Sequence, residues 1–146
     1  KFILLYSGIN NGLTNAKNNC YEKFVKACNG RRVYLIQQQK TCHSAYCKQH
    51  NSHSPNIVNG LNENMRSLCG GNAGGKYKNA YFVNLNEGGF DTAHNNYSAM
   101  DCCVNDGCGC GQNGQPSGFH LKPEGYKNMM KTILQIIGET SYFKAK

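Results

Sequence analysis

Charge is scarce in this chain. Only 16% of its 146 residues are charged, and only eight are acidic. No apolar run approaches the ~20 residues that a bilayer-spanning helix needs, so no membrane-spanning helix is expected. Neither an internal repeat nor a linker is visible, and residues 1–146 read as one domain or most of one. The formal charge is +8, yet the lysines are scattered and no recognised nucleic-acid motif accompanies them. Nucleic acid is therefore disfavoured as a partner. Weak attraction to an acidic polysaccharide or another charged surface fits better. No serine stands out as a nucleophile on a tight turn. Ser7, before Gly8 at a strand end, is the nearest approach to one.

What is present is amide, glycine and cysteine. Asn is very frequent and there are 17 Gly, a composition of turns and loops around a few regular elements. The nine cysteines are Cys20, Cys28, Cys42, Cys47, Cys69, Cys102, Cys103, Cys108 and Cys110. That density suits an oxidising compartment. Nine is odd, so at least one is free or bonded to another chain. Cys102 and Cys103 are adjacent and are expected to have different partners. Asn96-Tyr97-Ser98 is an acceptor sequon for N-glycosylation. The chain begins on Lys1 with no initiating methionine or signal peptide, and reads as processed or as a fragment. A secreted, extracellular location is expected. Cys42, His43, Cys47, His50 and His53 supply zinc-type ligands, but their spacing fits no standard zinc module. Disulfides are favoured there, and neither a metal nor a cofactor is expected.

Residues 2–6 read as a short buried strand. A helix capped within Thr14–Asn19 carries Tyr21, Phe24, Val25 and Cys28 on one face, and Asn29-Gly30 stops it. Residues 32–36 form a second strand, followed by a polar loop over 38–54. Ser54-Pro55 starts a helix with Ile57, Val58, Leu61, Met65 and Leu68 inward. Gly70, Gly71, Gly74 and Gly75 end it in a flexible turn. Residues 80–85 are a third strand, and 86–119 a long Cys-rich loop. Pro123 opens a last helix with an apolar face of Tyr126, Met129, Met130, Ile133, Leu134 and Ile137. Strands alternating with helices imply a parallel sheet covered by helices on both faces. Three strands make a thin one, with a bare edge.

His120 lies just before that last helix, on a loop end fixed by a rigid element. His120-Leu121-Lys122-Pro123-Glu124-Gly125-Tyr126 and the helix after it resemble the last block of the SGNH (GDSL-like) hydrolases. Residues 2–11, which include Gly8-Ile9-Asn10-Asn11, are similar to that family's strand ending in Gly-x-Asn-Asp. The element order between the blocks also agrees. The resemblance spans nearly the whole chain, but only the later part of the family's domain. It implies a flavodoxin-like α/β fold, a three-layer sandwich around a parallel sheet that is incomplete here, with long Cys-rich loops. It also implies serine esterase or acyl-hydrolase chemistry, with His120 as base and Asn10, in its Gly8 block, as oxyanion donor.

The chain departs from the family in three places. It has no Gly-Asp-Ser block, Ser117 stands where the triad aspartate is usual, and Asn11 replaces the Asp of the strand-end block. Asp106, displaced by an insertion over 108–116, or Ser117 itself are alternatives for orienting His120. Two plain readings stand beside these. His120 is retained because its loop and helix pack, and Asn10-Asn11 is an ordinary turn. Two functions follow. In one, the chain is part of a processed or two-chain esterase and supplies Asn10 and His120. In the other, it is an inactive family member serving as an extracellular structural or carbohydrate-binding protein. Either way the expected partner is another polypeptide, same or different, joined by sheet-edge pairing or a disulfide, with a carbohydrate or acyl ester as ligand.

Overall fold

The computed structural model describes residues 2–6, 19–38, 55–90 and 123–138. The chain divides into two compact units, Lys1–Gln38 with Pro55–Asn84, and Gln39–Ser54 with Leu85–Lys146. The first unit is a mixed α/β layer. Its elements are β1 (Ile3–Leu5), α1 (Cys20–Ala27), β2 (Val33–Ile36), α2 (Pro55–Leu68) and β3 (Ala80–Val83). The strands pair in parallel in the order β1-β2-β3, with Ile3 opposite Val33 and Val33 opposite Ala80. This small parallel sheet is compatible with a flavodoxin-like layout.

Parallel neighbours need crossovers, and α1 and α2 occupy them. The strand order advances the same way at each step. Right-handed crossovers then place both helices on one face of the sheet. The core follows: Tyr21, Val25 and Cys28 of the α1 segment and Leu61, Met65 and Leu68 of α2 bury against Val33, Leu35, Ala80 and Phe82. On α2 the apolar positions fall at the helical period, as the sequence predicts. The side chain of Ile57 lies outside the described residues. Helix α1 ends where expected: Asn29 and Gly30 both take positive φ, 48° and 76°, a conformation that Asn tolerates and Gly adopts freely. On the other face the sheet carries an aromatic row. Phe2 meets Tyr34 edge-on at 5.7 Å and Tyr34 meets Tyr81 at 5.4 Å, while Arg32 lies over the Tyr81 ring. Ile36 and Val83, paired across the sheet, are also buried there.

The glycine-rich stretch after α2 is not the loose turn expected from its composition. It folds back along the outer edge of β3. In this register Val33 donates to the Asn79 carbonyl, so Ala80 and Phe82 turn their own N–H and C=O away from β2. All four groups are taken. The Ala80 N–H donates to the Tyr77 carbonyl at 3.0 Å, and the Ala80 carbonyl accepts from the Gly71 N–H at 2.9 Å. The Phe82 N–H donates to Asn72 Oδ1 and its carbonyl accepts from Asn72 Nδ2, both at 2.8 Å. One carboxamide thus imitates a neighbouring strand, and this edge of the sheet is closed rather than bare. Glycine is required for so tight a return: a Cβ on Gly75 would lie 2.5 Å from the Ser67 carbonyl oxygen.

The same loop is tied to α1 by Glu22. Its carboxylate accepts from Lys76 Nζ and from the Tyr77 hydroxyl, each at 2.6 Å, and Lys26 stands 3.5 Å away. The Lys76 ammonium first, then the Tyr77 hydroxyl, hold the Glu22 carboxyl down at about 2. The Lys76 ammonium is raised in turn by Glu22. Cys20, Cys28 and Cys69 are free thiols. Cys28 and Cys69 serve as core residues, and burial pushes the Cys69 thiol up to about 12, which makes it inert. The other six cysteines lie outside the described residues.

In the second unit a 3-10 turn over Leu85–Gly88 packs against α3 (Pro123–Ile136). The strand expected to reach residue 85 stops at Val83, because Leu85 opens that turn and its carbonyl accepts from the Phe90 N–H. The apolar face of α3 is rotated from the expected one. Met129, Ile133 and Leu134 are buried, but Tyr126 and Met130 are 41% exposed. The buried arc includes Gly125 and Thr132 instead. Thr132 belongs there because its hydroxyl donates to the Asn128 carbonyl at 2.9 Å, leaving its methyl for packing. Gly88 approaches so closely that a Cβ on it would collide with that methyl.

Asn72→Ala removes both partners of Phe82 and is expected to lower stability by about 1–3 kcal/mol. Gly60→Ala acts in the opposite direction. Gly60 sits exposed within α2 with open space where a Cβ would go, so alanine is expected to add about 0.5–1 kcal/mol. Urea unfolding of the two variants measures both; a shift of the same sign in each would contradict the assignment. Glu22→Gln tests the loop tie through pH. A carboxyl whose pKa is depressed on folding stabilises above its unfolded value, about 4.3, and loses that contribution as pH falls toward 2. Wild type is therefore expected to exceed the variant in stability at pH 7, with the gap closing between about pH 4.3 and pH 2.

Candidate functional site

In an open parallel sheet, ligands bind beyond the carboxyl ends of the strands, because loops from several strands converge there. In the first unit Tyr6 follows β1, Gln37 and Gln38 follow β2, and Asn84 follows β3. The Gln37 N–H donates to the Val83 carbonyl at 3.0 Å and carries the β2–β3 ladder one step further. Gln38 is then caught by α2. Its N–H donates to Asn62 Oδ1 at 2.7 Å and its carbonyl accepts from Asn62 Nδ2 at 2.9 Å. Its side chain folds back, with Nε2 donating to the Ile36 carbonyl at 3.2 Å, and the residue is 1% exposed.

Asn62 therefore does at the end of β2 what Asn72 does along the edge of β3. Both carboxamides hold a residue's N–H and C=O together. The result is a rigid exit for the chain at the carboxyl end of the central strand, on which a loop can be positioned. The residues at this rim are neutral: a phenol and three amides. The Gln38 side chain is committed to its own strand end, and Tyr6, Gln37 and Asn84 have partners of their own. The chain continues from these strand ends into residues 7–18, 39–54 and 85 onward.

Those segments carry the residues singled out from sequence. Gly8 and Asn10 follow β1, and His120 precedes the Pro123 start of α3. Gly8, Asn10 and His120 lie outside the described residues, as do Ser7, Asp106, Ser117 and the Cys42–His53 cluster. Among the described residues no group of three His, Cys, Asp or Glu side chains is placed to hold a metal, and no helix is long and apolar enough to cross a membrane. Sequence reasoning missed Gln38 and Asn62. Their signal, an Asn on the polar side of an amphipathic helix, is indistinguishable from a solvated residue without the partner in view.

Comparison with protein-family models, with curated proteins and with solved structures gave no match.

Asn62→Ala is expected to speed exchange of the Gln38 amide at least tenfold, since its 2.7 Å acceptor is lost. Exchange at Leu35, inside the ladder, should change far less. Site-resolved hydrogen exchange by NMR measures both. Equal acceleration at the two amides would mean that Asn62 supports the fold generally rather than the strand exit.

Proposed function

We propose that this chain is the later part of a secreted, SGNH-hydrolase-like serine esterase or acyl hydrolase, with a flavodoxin-like three-layer sandwich completed by another polypeptide. His120 is the general base and Asn10, in its Gly8 block, the oxyanion donor. The nucleophilic serine comes from the partner, which is joined by sheet-edge pairing or a disulfide. The observation that supports this reading is topological. The β1-β2-β3 order is parallel, so the Gly8–Asn10 segment leaves β1 at the carboxyl end of the sheet, where such sites are built.

The chemistry assigns a step to each group. His120 takes the proton from the serine hydroxyl as its oxygen attacks the acyl carbonyl. Asn10 donates to the carbonyl oxygen as it gains charge, a contact whose loss commonly costs about 10²–10³ in rate. The ester C–O bond then breaks, and the alcohol leaves with the proton from His120. Water, deprotonated by the same imidazole, releases the acid. The substrate class is an acyl ester, carried on carbohydrate.

The test is covalent labelling by a fluorophosphonate serine probe. The 146-residue chain alone is expected not to label, because the hydroxyl that His120 would activate is absent. The native assembly is expected to label on the partner chain, and His120→Ala is expected to abolish that labelling. An unlabelled native assembly would instead support an inactive relative with a structural or carbohydrate-binding role. Labelling of the isolated chain would overturn the assignment of its N-terminal segment, with Ser7 the first residue to map.

A further inference from the structure

The two edges of the sheet are treated differently. On β3 every outward backbone group is taken by the 70–77 loop. On β1, Ile3 donates to the Arg32 carbonyl at 3.0 Å, and Leu4 therefore turns both its N–H and its C=O away from β2. No partner for those two groups stands among the described residues. Ile3, Leu4 and Leu5 are apolar on both faces, and β1 carries no lysine, proline or bulge; its three-residue length is the edge-blunting feature it does have. All three are only half-buried, whereas every residue of β2 is buried.

We propose that the outer edge of β1 is a strand-addition site. Its occupant is an extended segment of a different polypeptide, apolar on both faces and flanked by acidic residues. This specifies the partner half of the reading above but needs no catalysis. Backbone pairing at Leu4 supplies two hydrogen bonds, and the half-buried faces of Ile3, Leu4 and Leu5 supply the apolar contact, as in recognition by β-augmentation. The acidic flanks follow from charge. The chain carries +8, and Arg31 and Arg32 are exposed at the amino end of β2, beside Ile3. A second copy of the chain is a poor occupant, because each copy would bring the same positive charge.

The probe is a fluorescent six-residue Val/Ile peptide with Asp at both ends, N-methylated at alternate residues so that one edge alone can pair. The protein is the 146-residue chain, and the readouts are fluorescence anisotropy and sedimentation velocity. Saturable binding of one peptide per chain is expected, with at least tenfold weaker binding of the fully N-methylated peptide. Leu4→Pro is the decisive variant. It deletes an N–H that faces outward and leaves the β1–β2 ladder intact, so native circular dichroism with at least tenfold weaker binding is expected. Should that variant fail to fold, the two peptides still decide. Equal binding of both peptides, no binding of either, or full binding to a folded Leu4→Pro variant would overturn the proposal. A chain that sediments as a dimer, with the peptide excluded, would also overturn it, by naming a second copy as the occupant.

Discussion

A backbone N–H or C=O taken out of water must find a partner, and a three-stranded parallel sheet makes that requirement hard to meet. Among the described strands only β2 has neighbours on both sides. Each outer strand turns half its polar groups away from the sheet. The architecture of the first unit is a response at one of those edges. Asn72 and the backbone of Gly71 and Tyr77 complete β3. That closure fixes the loop after α2, and the loop in turn receives Lys76 and Tyr77 onto Glu22 of α1. Asn72 joins the loop to the sheet edge, and Glu22 joins the same loop to the first helix.

A second carboxamide repeats the device at the end of the central strand. Asn62 grips Gln38 at the carboxyl end of β2 and fixes where the chain departs toward the 39–54 segment. Short parallel strands leave little ladder to hold such an exit, so a side chain supplies what further strand length would otherwise provide. The strand ends beside it are amide-rich and uncharged.

Much of this architecture was legible in the sequence. Val33-Tyr34-Leu35-Ile36 is apolar on both faces because it is the interior strand. Pro55 and Pro123 open their helices because proline is tolerated at the first turn. The face of α3 was misread because Thr132 counts as polar until its hydroxyl is seen bonded to Asn128, and because Gly125 contributes no hydrophobic signal. The 70–77 loop was misread because glycine signals freedom, whereas here it permits close approach. Asn62 and Asn72 could not be singled out at all. In a chain so rich in asparagine, a clamp and a solvated turn have the same letter, and the difference lies in partners 24 and 10 residues away. Of the candidate site, Gly8, Asn10 and His120 lie outside the described residues, and the pairing of Asn62 with Gln38 required the fold.

The edge asymmetry is the claim on which the rest turns, and site-resolved amide hydrogen exchange on the 146-residue chain measures it directly. Phe82 and Ala80, which face away from β2, are expected to be protected to within about tenfold of Leu35 in the central strand, and Leu4 is expected to exchange at least a hundredfold faster than Leu35. Phe82 and Ala80 exchanging as fast as Leu4 would contradict the account, because the β3 edge would then be open and the Asn72 clamp absent in solution.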